Sequence, residues 1–196
     1  LGWDLVPETV AVTGPGGPGM AQRWIDEADP ARDHPSGPGP VDVHPVDGVP
    51  AGRVAVLRGE DADGAEVVVA HGLDERLRRI ALLDHVVNNA DRKGGHLLVD
   101  PAGVTWAIDH GLSFHTEPKV RTVLWGWAGQ PLPAEDLDGL VRLRSALADG
   151  GTLRLGLADL LDTAEIEALE ARVAALVAGG VFPVPGPGYP LPWPLF

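Results

Sequence analysis

Asn88-Asn89-Ala90-Asp91-Arg92-Lys93-Gly94-Gly95-His96 and, shortly after it, Ile108-Asp109-His110-Gly111-Leu112 decide how this chain is read. Each stretch is polar and each is flanked by apolar sequence. Between them, Leu97-Leu98-Val99 leads through the turn-forming Asp100-Pro101-Ala102-Gly103 into Val104-Thr105-Trp106-Ala107-Ile108. That pattern predicts a short hairpin which returns Asp109 to the neighbourhood of Asp91. Carboxylates brought together repel one another unless a cation lies between them, so the pairing points to a divalent metal site.

Working outward, Leu73 to Val87 has helical spacing, with Leu73, Leu77, Ile80, Leu83 or Asp84, and Val87 on one face. This helix delivers the chain into Asn88-Asn89, whose side chains brace the following loop or form a turn. Upstream, Arg53–Arg58 and Glu66–His71 flank Asp61-Ala62-Asp63-Gly64 and predict a second hairpin. Residues 4–13 and 19–26 predict two strands joined by a Gly/Pro turn, and Leu1–Pro7 reads as a helix end entering a strand. Downstream, helices are predicted over 134–148 and 164–178, the latter with Asp162 and Glu165 spaced as a capping box. Trp125-Gly126-Trp127 either covers a pocket or anchors the core. The tail from Val181 alternates proline with bulky apolar residues and predicts an extended segment lying on the body or on a partner. The organisation is one domain: 1–26 a remnant of a sheet and its hinge, 27–50 a flexible Pro/Gly loop holding His34 and His44, 51–180 the main lobe, and 181–196 the tail.

The two polar motifs resemble the catalytic core of the protein-kinase-like superfamily. There an Asp that orients the acceptor hydroxyl is followed by a Lys and an Asn, then by a hairpin and a metal-binding Asp before Gly. Asn89-Ala90-Asp91-Arg92 and Ile108-Asp109-His110-Gly111-Leu112 are most similar to phosphatidylinositol 3/4-kinase-like proteins, nearest to the type II 4-kinases and actinobacterial relatives. The motif resemblance covers about residues 80 to 115. It implies an α+β, kinase-like fold with a mostly helical C-terminal lobe and a catalytic β-hairpin. It also implies ATP with Mg²⁺ or Mn²⁺, and a hydroxyl acceptor that is a protein, a small molecule or a phosphoinositide. Residue by residue, Asp91 takes the base position, Lys93 the phosphate contact and Asp109 the metal ligand. Gln22, Trp24 and Ile25 fall on the strand that runs into the adenine-binding hinge; an ordinary sheet strand is the other reading.

This chain departs from the pattern in several places. His96 stands where the superfamily has a metal-binding Asn, and imidazole suits Mn²⁺ or Zn²⁺ better than Mg²⁺. His110 replaces Phe or Asn, and only Lys119 and Arg121 follow Asp109 closely enough to serve as a basic acceptor loop. The chain has two lysines, Lys93 and Lys119, so none precedes the motifs to hold nucleotide phosphates. Gly14-Pro15-Gly16-Gly17-Pro18-Gly19 reads as a turn, not a phosphate loop. The expectation is a chain that starts inside the domain, either as a fragment or without its ATP-clasping half.

Two other readings stay open: an idle kinase-like module used for binding, and a His/Asp metallohydrolase built from His85, His110 and His115. The three serines, Ser36, Ser113 and Ser145, lie in no nucleophile elbow. A net charge of −13 argues against nucleic acid and anionic membrane surfaces as partners. The absence of cysteine excludes disulfides and thiolate metal sites. No apolar run reaches the roughly 18 residues of a membrane span, and a cytoplasmic location is the default expectation.

Overall fold

The computed structural model describes residues 1–28 and 39–196; His34 and Ser36 lie outside them. Helices and antiparallel sheets both occur, so the chain is of the α+β class. Its centre is a three-stranded sheet in which β5 (Glu66–Gly72) is flanked by β3 (Val41–Pro45) and β4 (Arg53–Glu60). Strand β3 lies where composition predicts a loop. Its Pro, His and Asp are poor strand formers, and pairing with β5 supplies what intrinsic preference does not. Central β5 is covered on both faces, with Val68, Val69, Ala70 and His71 all buried.

Helix α1 (Glu75–Val87) follows. Asp74 caps its N-terminus by accepting from Leu77 N, and Asn88 ends it in the left-handed conformation. Leu77, Ile80, Leu82 and Val86 enter one core with Leu97, Ala107, Leu124, Trp127, Leu140 and Val173. Beyond α1 the predicted hairpin is present: β6 (Leu97–Val99) pairs antiparallel with β7 (Thr105–Ala107). Asp100 organises its turn, accepting from Ala102 N and Val104 N, and from Trp106 Nε1 at 2.9 Å.

Three further helices complete the body: α2 (Ala134–Leu147), α3 (Thr152–Leu157) and α4 (Thr163–Gly179). The Asp162–Glu165 capping box forms as its spacing predicts. Helix α3 was not anticipated, because Gly150-Gly151 reads as a break and six residues are too few to show a period. Buried Asp136 joins α2 to α1, accepting from Arg78 and Arg79 at 2.9 and 3.0 Å.

The N-terminal strands are shorter than predicted. β1 (Thr9–Gly14) and β2 (Gly17–Gln22) form a separate two-stranded ribbon, and Leu1–Pro7 is not helical. Both roots of this ribbon dock on the β6–β7 hairpin. Ala107 N donates to Leu5 O on the β7 side, and Ala28 N donates to Val99 O on the β6 side. The tail lies extended on the body, with Phe182 and Leu191 buried. Leu195 O accepts from Gly94 N, and the Phe196 ring covers Gly94 so closely that a Cβ there would lie 2.5 Å from it.

Candidate active site

Arg92, at position 5 of the first motif, holds the region together. It is fully buried, and its guanidinium engages Asp84 through Nε and Nη2 at 3.0–3.2 Å. Its Nη1 donates to Ile108 O at 2.7 Å, and Nη2 donates to His110 Nε2 at 2.7 Å. One side chain from the first motif thus fixes the last turn of α1 and the backbone of the second motif. Because a guanidinium only donates, His110 must accept with a bare Nε2 and carry its proton on Nδ1. Burial, followed by the neighbouring Arg92 charge, pushes the His110 imidazole down to about 4.

Asp84 is equally buried and its oxygens are fully used: beyond Arg92 it accepts from Asn89 Nδ2 at 2.9 Å and from Thr122 Oγ1 at 3.3 Å. A buried carboxylate is tolerated only with such compensation. Both asparagines brace the loop. Asn89 Oδ1 accepts from Asp91 N, while Asn88 donates to His115 O and Glu117 O and accepts from Lys119 N. The segment after the second motif is pinned at the same helix end. The Arg92 pairing with Asp91 that adjacency suggests does not form; Asp91 faces Lys93 instead, with Oδ2 to Nζ at 3.4 Å.

His96 and Asp109 meet, with Nε2 to Oδ2 at 3.4 Å. Two ligands each about 2.1 Å from one cation lie roughly 3 to 3.5 Å apart, so this pair has the spacing of neighbouring ligands on one metal. The Asp109 side chain is 61% exposed, open to complete a shell with water or phosphate oxygens. Its backbone adopts φ 53°, in the left-handed region where Asp is among the few tolerated residues with a Cβ. His96 Nδ1 is buried without a partner, and its carbonyl accepts from Ile108 N and Arg92. Among the described residues no group of three or more His, Asp or Glu is arranged to hold a metal. His96 and Asp109 alone would supply two ligands, and a cation there would need its remaining oxygens from elsewhere. The three histidines of the metallohydrolase reading have separate surroundings: His110 on Arg92, His115 on Lys119 and Glu117, and His85 in a different cleft.

Gln22, Trp24 and Ile25 line a cleft of about 520 Å³ together with Asp26, Leu98 and Ile108. Ile25 is buried, whereas Trp24 is 84% exposed. Leu98 of β6 and Ile108, just past β7, form the floor of this cleft, and Ile108 directly precedes Asp109. Arg23, which also lines the cleft, and Arg76 both stack on Trp106, at 4.6 and 4.9 Å from its ring centroid. Reading the sequence located the loop and hairpin residues but missed the Asp84–Arg92–His110 core beneath them. One sign of it was present, an Asp on the apolar face of α1.

No protein-family model matches the chain, and no solved structure matches it. Protein Rv2133c of Mycobacterium tuberculosis is 46% identical over 198 residues, an alignment that spans the whole of this chain and 70% of that protein. At that identity and coverage, the chain belongs to the family of protein Rv2133c.

Proposed function

We propose that the chain is an ATP- and metal-dependent phosphotransferase of the kinase-like class, acting on a hydroxyl acceptor. The observation that carries this reading is the continuity of the cleft with the ligand pair. Gln22–Asp26 and the Leu98–Ile108 floor enclose a space of about 520 Å³, within the usual range for a nucleotide-sized ligand. Its floor runs directly into Asp109, which faces His96.

In this reading the adenine lies between the Gln22–Ile25 segment and the apolar floor of Leu98 and Ile108. Asp109 and His96 hold a divalent cation, Mg²⁺ or Mn²⁺, which supplies charge neutralisation for the phosphates when bound. The imidazole ligand favours Mn²⁺. Asp91 orients the acceptor hydroxyl and takes its proton. The hydroxyl oxygen bonds to the γ-phosphorus as the β–γ bridging bond breaks, and ADP leaves with the electron pair. Lys93, beside Asp91, offsets charge on the transferred group. The buried Arg92 keeps both motifs in one geometry, which matters because misplacement by about 1 Å can cost 100-fold in rate.

Residues 1–92 contain no lysine to hold the nucleotide phosphates, and this favours one second reading, an idle nucleotide-binding module. Calorimetric titration of ATP with Mg²⁺ and with Mn²⁺, followed by an acceptor screen for ADP release, separates the two. Metal-dependent binding with turnover supports the phosphotransferase, and binding without turnover supports the module. Absence of nucleotide binding refutes both.

A further inference from the structure

A second cleft, of about 300 Å³, opens between Pro118–Arg121 and the Pro183–Pro190 segment of the tail. His85, from the last turn of α1, lines it. This imidazole is only 7% exposed; neither ring nitrogen has a hydrogen-bond partner among the described residues, and neither is sealed from solvent, so both are open to the cleft. Its neighbour Asp84 cannot serve it, because the Asp84 oxygens are taken by Arg92, Asn89 and Thr122. Burial pushes His85 down to about 4, so at neutral pH it offers one N–H and one lone pair, both unused. A largely buried imidazole whose nitrogens open on a cleft presents a donor and an acceptor, already held in place, to whatever occupies that cleft.

The walls say what kind of ligand. Trp125 stands edge-on to His85 at 5.3 Å, and its own Nε1 is spent on Pro190 O, so the indole is a fixed apolar wall. Tyr189 and Pro190 supply the opposite side. At the mouth, Arg121 is exposed and makes no ion pair or side-chain hydrogen bond among the described residues, in a chain of net charge −13. Its backbone is fixed, N–H to Asn89 O and C=O to Arg92 N. Lys119 adds less, since its ammonium already contacts Glu117 and His115.

We propose that this cleft binds a small aromatic anion: a planar ring against Trp125, a hydroxyl or carbonyl on His85, and a carboxylate or phosphate on Arg121. The site is separate from the nucleotide cleft of Gln22–Ile108 and stands whether or not that cleft takes ATP. The probes are 4-hydroxybenzoate and phenyl phosphate, titrated by calorimetry and tryptophan fluorescence, alone and with saturating ATP and Mn²⁺. Saturable 1:1 binding of at least one probe is expected, weakened at least tenfold by Arg121→Gln and at least fivefold by His85→Phe, and absent for uncharged phenol. Arg121 is exposed, so its replacement leaves the fold intact and keeps the test decisive even where His85→Phe disturbs packing. In the wild type, the His85 ring proton signals should shift on binding. No saturable binding of either probe would overturn the proposal. Binding that survives Arg121→Gln, or that ATP displaces while Arg121→Gln leaves it unchanged, would also overturn it.

Discussion

The β6–β7 hairpin with its flanking motifs and the β1–β2 ribbon are both two-stranded and both antiparallel, yet they are opposites in every energetic respect. The hairpin is short but buried. Leu97, Trp106 and Ala107 are in the interior, and the polar groups around it close on one guanidinium. The ribbon is twice as long, every residue of β1 is exposed, and Val10, Val12 and Met20 face solvent. An isolated two-stranded ribbon is marginally stable in water. This one is held at its roots, by Leu5 on Ala107 and Ala28 on Val99. Strand pairing alone therefore does not make a region rigid; burial of a completed polar network does. The chemistry proposed for the chain lies on the rigid element, and the ribbon contributes only the wall at its base.

The contrast can be broken most severely at Arg92. Arg92→Ala leaves Asp84 as a buried, unpaired carboxylate and should destabilise the fold by about 3–5 kcal/mol, read as a large drop in the chemical denaturation midpoint. Loss below about 1 kcal/mol would show that the network does not hold the hairpin. The next effect is catalytic. Asp91→Asn should lower turnover by about 10²–10⁴ while ATP affinity and thermal stability stay unchanged; full turnover would remove Asp91 as the base.

Acidification sharpens the contrast differently. His71, His85 and His110 are all depressed, chiefly by burial, and all belong to the body, not the ribbon. The unfolded chain takes up their protons near pH 6.5 whereas the folded chain resists, to about pH 4 for His85 and His110. Stability should be full above pH 6.5 and fall as pH drops from 6.5 toward 4, beginning before the carboxylates titrate. Denaturation midpoints that are flat between pH 7 and 5 would contradict this. The smallest effect belongs to the ribbon: Val12→Thr should change stability by less than about 0.5 kcal/mol, and a larger loss would reveal packing on β1.

The same difference explains what was readable in advance. The ribbon and the hairpin were legible because alternation and turn residues are local signals: Thr9–Thr13 alternates, and Asp100-Pro101-Ala102-Gly103 announces its turn. The Asp162–Glu165 box was legible for the same reason. The Asp84–Arg92 pair was not. It joins a helix to a loop across a left-handed Asn88, and no periodic pattern marks two residues that meet around such a corner. Strand β3 was missed because its partner β5, not its own composition, holds it extended. The placing of Gln22–Ile25 beside Leu98 and Ile108 depends on the ribbon's two roots, which are tertiary contacts invisible to local reading. Across the hairpin it is His96 that meets Asp109, at 3.4 Å; Asp91, which the sequence predicts beside Asp109, faces Lys93 and does not join them in a metal-holding group among the described residues.

The most direct test is calorimetric titration of ATP into the wild type and into Asp109→Ala, each with Mn²⁺, with Mg²⁺ and with EDTA. The expected result is one metal-dependent site in the wild type, abolished in Asp109→Ala with an unchanged melting temperature, and tighter with Mn²⁺ than with Mg²⁺. Equal binding by the two proteins, binding that persists in EDTA, or no binding by the wild type would contradict the assignment of this hairpin as a nucleotide-metal site.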